Sequence, residues 1–394
     1  VRARFLLLTL LAGLLAAGPA RSQHPQTLSD EAQVSLLTIL PGDQVYSMYG
    51  HSAIRIVDPV LGLDWTYNYG TFDFGHPLTF VPRFVQGRLD YFLSVASYPR
   101  ALAFYRTVEQ RPVIEQVLAL DATQRQALFD VLQVNARPEN RTYRYDFLFD
   151  NCATRIRDVM EATLGEALHF DDVPPPNRTF RQLLDPYAAD RPFLDFGIDL
   201  ALGTPVDRIA SARESMFLPD YLQRAFAHAT LTRDGQTVPL VARTDTVFWT
   251  DRPAARAWPW PALLLWTLFA VGLGWTVRTW SQPPARRWPD AWLFGLVGVA
   301  GVLLLYLWAG TEHTVTRPNW NLAWAWPTHL VAAVWLSRRG GTPLLRRYFA
   351  ATALGTVVFL IGFVALPQSV PGAAIPLLLL LALRALWWAR PRSG

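Results

Sequence analysis

The chain has no lysine and one cysteine, and only 17% of its 394 residues are charged. Each shortage closes a class of reading. With Cys152 as the sole cysteine no internal disulfide can form, so this thiol stays free, pairs with another chain or reacts. The spacings H-x-x-x-H, H-E-x-x-H and C-x-x-C are missing, as are a G-x-S-x-G elbow and a glycine-rich phosphate loop. No metal and no cofactor is therefore expected. All basic residues are arginine and the net charge is +5. The arginines near the C-terminus lie between apolar runs, where they set membrane orientation, so nucleic acid is not an expected partner. No internal repeat and no low-complexity tract is visible.

Apolar residues make up 51% of the chain, unevenly spread. Arg2 and Arg4 precede an apolar run, Phe5 to Ala17, and small residues around Gly18 to Ser22. This is a secretory signal pattern over 1–22, so the following part is expected to be exported. Residues 23–257 have mixed polarity. From 258 to 394 apolar runs recur at 258–278, 291–310, 322–337, 347–366 and 372–389. Each approaches the roughly 20 residues that cross about 30 Å of hydrocarbon. The third is the weakest, because it holds Pro327 and His329. Arginines cluster after the first, third and fifth runs. The positive-inside rule then predicts five spans, an outside N-terminal domain and a cytoplasmic C-terminus.

Within 23–257, strands are expected at 34–40, 50–58 and 65–74, the last two forming a hairpin. Further strands are read at 91–97 and 113–120, and a short helix at 99–109. Asp121 with Gln124 is a capping-box pattern that opens a helix to about Asn135. The stretch YDFLFDNCATRIRD then spans 145–158. Asp150 and Asn151 are helix-capping types, and Ile156, Val159, Met160 and Leu164 form one apolar stripe ahead of Gly165. Cys152 thus stands in the first turn of a helix, where the dipole and unpaired N–H groups favour a thiolate. Beyond Gly165 the pattern is loop-like around Pro174 to Pro176, with helical regions at 179–189 and 211–230, the second with Pro219 at a helix start or kink, and a last strand at 243–249.

A thiol nucleophile needs a base, usually histidine. His76, His169 and His228 lie in turns, helix ends or surface contexts, and His24 sits beside the signal exit. His51 stands at a strand entrance after Gly50 and beside an aromatic hairpin, so it is the preferred base. Ser52 makes a poor serine nucleophile, since no helix follows it and its neighbour points to the other face; it is kept as an orienting candidate. Asn68, Tyr69 and Asp73 on the next strand can orient the imidazole, or are simply structural. Arg155 either contacts phosphate or pairs with Asp150 or Asp158. The outside segment TEHTVTRPNWN, 311–321, places His313, Asn319 and Asn321 at the membrane boundary, as substrate contacts or as ordinary loop polarity.

GHSAIRI (50–56), YNYGTFDF (67–74), FDNCATRIRD (149–158) and MFLPDYL (216–222) together resemble the Lnb N-terminal periplasmic domain family, and NWNLAWAWP (319–327) is similar to that family's membrane part. The order of histidine strand before Asn-Cys helix is also similar to permuted papain-like enzymes such as the lecithin:retinol acyltransferases. The resemblance implies an α+β permuted papain-like soluble domain followed by an all-α bundle of about five transmembrane helices. It implies a lipoprotein N-acyltransferase of the bacterial inner membrane. A phospholipid would be the acyl donor and a diacylated lipoprotein the acceptor, with Cys152 as nucleophile, His51 as base and Asn151 beside the oxyanion. A cell-wall peptidase or amidase, and a non-catalytic membrane assembly protein, are the competing readings.

Overall fold

The structure is a computed structural model and describes residues 26–72, 82–83, 85–251, 257–282 and 286–391. The signal-like segment 1–22, His24, Asp73 and His76 lie outside the described residues. The chain divides into two compact units, one of residues up to 178 with 209–253, the other of 179–208 with 254 onward.

The first unit is built on an antiparallel sheet. Its strands are β1 (Gln33–Ile39), β2 (His51–Asp58), β3 (Leu63–Thr71) and β4 (Asp90–Ser97), followed by helix α1 (Tyr98–Phe104), which continues as a π-turn to Glu109. Then come β5 (Val113–Leu118), α2 (Ala122–Asn135), β6 (Thr142–Arg144), α3 (Cys152–Leu164) and the short β7 (Leu168–His169). Helices α4 (Phe180–Ala188) and α5 (Pro192–Ala201) belong to the second unit. The chain returns to the first unit for α6 (Pro219–His228), β8 (Thr230–Arg233), β9 (Gln236–Pro239) and β10 (Val241–Phe248).

The seven-stranded sheet has the order β10-β5-β1-β2-β3-β4-β6, and a small second sheet the order β7-β8-β9. The expected capping box forms, with Asp121 accepting from the Gln124 N–H at 2.8 Å. Helix α3 lies on β2 and β3. Its buried stripe of Ile156, Met160 and Leu164 joins Ile54, Ile56, Tyr67 and Leu128 in one core. On the other face, Arg55 of β2 clamps Asp64 of β3 (2.8 and 3.0 Å) and Glu115 of β5 (3.0 Å) beneath the Tyr98 ring. Within the helical region expected over 211–230, Pro219 stands at a helix start and opens α6, while Thr230 beyond that helix begins β8 of a hairpin turned at Asp234-Gly235.

The second unit adds α7 (Trp260–Arg278), α8 (Trp288–Ala309), α9 (Thr328–Arg339), α10 (Pro343–Gly362) and α11 (Ile375–Ala389). Among the described residues four helices are long and apolar enough to span a membrane, in the segments of α7, α8, α10 and α11. The expected third span departs from that. It splits into a 3-10 turn, Trp320–Ala323, and the 12-residue α9, whose length is only about 18 Å. Trp324, Ala325, Asn321 and His329 around the break are buried in protein, the setting in which irregular backbone among spanning helices is tolerated. A β-carbon at Gly301 of α8 would collide with the Ala325 carbonyl, so glycine lets the broken segment approach.

Polar staples hold this unit. Arg384 of α11 pairs with both oxygens of Asp290 of α8 at 2.7 Å and donates to Thr276 of α7 at 2.7 Å. Trp388 adds a bond to Asp290 at 2.9 Å. Removing one partner of a buried ion pair strands the other charge. Asp290→Ala should therefore lower the stability of the full chain in detergent by about 3–5 kcal/mol. Denaturant unfolding followed by tryptophan fluorescence checks this.

Candidate active site

Asn151 sets the local geometry of the site. Its Oδ1 accepts from the N–H of Ala153 (2.9 Å) and Thr154 (3.0 Å), and Thr154 Oγ1 accepts from the Asn151 N–H (2.7 Å). Its Nδ2 donates to the carbonyls of Phe147 (2.8 Å) and Phe217 (2.9 Å). Asn151 is 4% exposed. Both amide hydrogens are spent on carbonyls, so none is left for an oxyanion. Its side chain positions; it does not donate to a reacting group.

Cys152 sits where the sheet parts. Strands β2 and β3 pair from Ile54–Tyr67 to Asp58–Leu63, which leaves His51 to Ala53 without that neighbour. The end of β3 bends away, with Gly70 at φ +84°, where a β-carbon would lie 3.3 Å from Cys152 Cβ. Only glycine combines that angle with that approach. Burial pushes the Cys152 thiol above its ordinary range, against the pull of the Ser52, Ala153 and Cys152 N–H groups and of Arg111. The thiolate expected from the helix start is thus corrected to a neutral thiol, because desolvation of the charge outweighs the N–H groups. Cys152 nevertheless keeps some exposed surface.

Neighbouring strand residues face opposite sides, so His51 and Ser52 diverge. His51 Nε2 lies 3.4 Å from Asn68 Oδ1, a long contact, and Asn68 Nδ2 donates to the Thr66 carbonyl at 3.3 Å. Asn68 is the imidazole's hydrogen-bond partner among the described residues, and no hydrogen bond joins the imidazole to Cys152. The two groups meet through the His51–Ser52 peptide, whose N–H acts on the sulfur. Burial, and secondarily Arg111, pull the His51 pKa down to about 4, against the Asn68 bond that raises it. The imidazole is neutral at pH 7.

The other candidates separate. Ser52 Oγ is buried without a hydrogen-bond partner, so Ser52 touches the site through its backbone. Tyr69 is on the core face, where its hydroxyl accepts from Asn135 Nδ2 at 2.8 Å; it does not orient His51. Arg155 forms a two-point ion pair with Asp150 and stacks over Tyr143, so its charge is committed. Asn319 and Asn321, in the second unit, bind the Leu200 carbonyl (2.8 and 3.1 Å), and Asn319 also that of Ala201 (3.1 Å). They hold the chain after α5. His313 is half-buried in the α8–α9 loop.

Arg111 escaped the sequence reading. It is 3% exposed and donates to the carbonyls of Leu40 (2.7 Å) and Ile39 (3.3 Å) and to Glu109 (2.7 Å). Ile39 is the register partner of His51, so this cation is fixed at the strand end that carries the imidazole. An ion-pair motif before Pro112, at the entrance of a buried strand, was the available signal. Tyrosines also gather nearby, with Tyr91 and Tyr145 stacked at 4.0 Å. A groove of about 470 Å³ along α9, lined by Leu330, Val331, Val334, Trp335, Arg338 and Arg339, contains none of these residues.

Residues 23–186 match the family model described as the Lnb N-terminal periplasmic domain, and residues 254–391 match that of the Lnb transmembrane domain. No curated protein and no solved structure matches the chain.

Labelling of Cys152 by a neutral maleimide should rise with pH through a midpoint above the free-cysteine value of about 8.5. Gly70→Ala, strained by its positive φ and pressed on the thiol, should cost about 1–2 kcal/mol in denaturant unfolding and alter the labelling rate.

Proposed function

Because the chain belongs to the Lnb family in both of its domains, we propose that it is a lipoprotein N-acyltransferase of the bacterial inner membrane, working through Cys152 and His51. It is a membrane protein with a periplasmic N-terminal domain. Counting the broken α9 segment as a fifth crossing brings the C-terminus to the cytoplasm, in keeping with its arginines. One observation carries the chemistry: the Cys152 sulfur stands at a capped helix start, in the gap that β3 leaves beside His51 and Ser52.

Both groups are neutral at rest, so the proton moves during attack and not before it. Cys152 Sγ bonds to the ester carbonyl carbon of a phospholipid while His51 takes the thiol proton. The ester C–O bond breaks, and His51 returns that proton to the departing alcohol oxygen, leaving a lysophospholipid. The α-amine of a diacylglyceryl-cysteine then attacks the thioester. The N–C bond forms, the S–C bond breaks, and an amine proton passes through His51 to the sulfur. Ser52 and Cys152 N–H groups are the oxyanion donors in this reading, since Ala153's is already held by Asn151; such a donor is worth ~3 kcal/mol. Asn68 steadies the imidazole. Catalytic hydrogen bonds often tighten only when substrate binds, which covers the missing thiol–imidazole bond.

Mass spectrometry of the protein taken from membranes should find a hydroxylamine-sensitive acyl adduct on Cys152. Cys152→Ala and His51→Ala should fail to rescue cells depleted of their own lipoprotein N-acyltransferase; rescue equal to wild type overturns the proposal. A base must be neutral to accept a proton, and His51 titrates near 4. Thioester formation should hold its rate from pH 7 to about 5 and fall only below that. Asn68→Asp sets a carboxylate beside the imidazole, favours its protonated form, and should move this acid limb up by about 1 unit or more.

A further inference from the structure

The steps above leave the aromatic side chains around Cys152 unused. Tyr145 stacks on Tyr91, centroids 4.0 Å apart. Phe72 packs on Tyr91 at 5.2 Å, and Tyr46 meets Phe72 edge-on at 6.4 Å. Cys152, Tyr145 and Phe72 are half-buried and pack on the same core as Tyr91. Tyr46, at the far end, is 46% exposed. The row thus runs from the thiol to the surface. Strand β3 fixes its origin, since Gly70 abuts Cys152 and Phe72 follows closely.

The row is also uncharged. Tyr46 is pinned by its hydroxyl to Glu109 at 3.0 Å. Burial, and then the nearby Cys152, hold the Tyr91 and Tyr145 phenols above their ordinary range, so both stay protonated. Such a wall satisfies methylene groups and offers little to a peptide chain, which needs hydrogen-bond partners along its length.

We propose that this row is the acyl-chain subsite: the fatty chain delivered to Cys152 lies along Tyr145, Phe72 and Tyr46, with Tyr91 packed behind them. The proposal rests on the thioester reading above. A chain bonded to Sγ must lead away from the sulfur, and an aromatic wall begins there, half-buried at Tyr145 and Phe72, open at Tyr46 and backed by the buried Tyr91. The row then makes the enzyme selective for long-chain donors, and its middle member, Phe72, sets how far the chain reaches.

The test uses the full-length protein in proteoliposomes holding equal amounts of dodecanoyl and hexadecanoyl phosphatidylethanolamine. Intact-mass spectrometry reads the adduct on Cys152. The chain leaves a bilayer and not water, so its extra methylenes gain packing contacts with the row and no hydrophobic transfer; wild type should prefer the longer chain by about tenfold. Phe72→Leu and Tyr46→Ala should reduce that preference at least about threefold, while Leu61→Ala, on the exposed β2–β3 turn, should leave it unchanged. Loading of both row variants with the wild-type preference overturns the subsite. No adduct in wild type at all overturns the thioester reading instead, so the two failures are told apart. Phe72→Leu keeps an apolar side chain of similar bulk, and Tyr46 is at the surface, so neither variant depends on a refolded core.

Discussion

One carboxamide holds the site together. Asn151 caps α3 with its oxygen and ties two other segments to that cap with its nitrogen, at Phe147 and Phe217. The residue types that commonly cap helices do not all serve. Aspartate would aim lone pairs at two carbonyls, and serine has a single hydrogen to donate. The position of Cys152 follows from this four-bond junction, because the cap fixes the first turn and the two tethers fix where that turn lies. The gap in the sheet and the glycine at its lip then have something to receive.

The electrostatics depend on burial more than on the helix dipole. A helix start invites a thiolate in water-exposed surroundings. Here the sulfur lies against β2 and the tyrosines, and the cost of charging it is larger than what the peptide N–H groups return. The same enclosure, reinforced by Arg111, keeps His51 uncharged. A pair of neutral groups lets the site be enclosed without stripping a permanent charge of water.

Much of the first unit was legible because its signals are local. Strand alternation gave β1 to β3 to within a few residues, and the Asp121–Gln124 and Asn151–Cys152 patterns marked two helix starts. The choice among Asn68 and Tyr69 was not local. It depends on the facing set by the β2–β3 register, which puts Asn68 with His51 and Tyr69 with the core. Arg111 was hidden for a similar reason, since its partners Leu40 and Ile39 are remote in sequence. In the membrane part, hydropathy registers apolar length but not a break. Residues 322–337 read as a weak span, while Pro327 and the buried polar groups of Asn321 and His329 make it a turn and a short helix.

The stretch 179–208 has a consequence for biogenesis. The polypeptide passes between its two units three times, after residues 178, 208 and 253. The first six strands can pair among themselves as they emerge, and β10 is added at the β5 edge only after the excursion. Helix α4 finds partners within the stretch, Arg181 binding Asp199 and Asp207, but the carbonyls at the end of α5, of Leu200 and Leu202, must wait for Asn319 and Gln368, translated more than a hundred residues later. The packing of 179–208 is thus completed only with the membrane part. A chain halted before its spans are made would hold α4 and α5 pinned to each other through Arg181, with the end of α5 still unsatisfied.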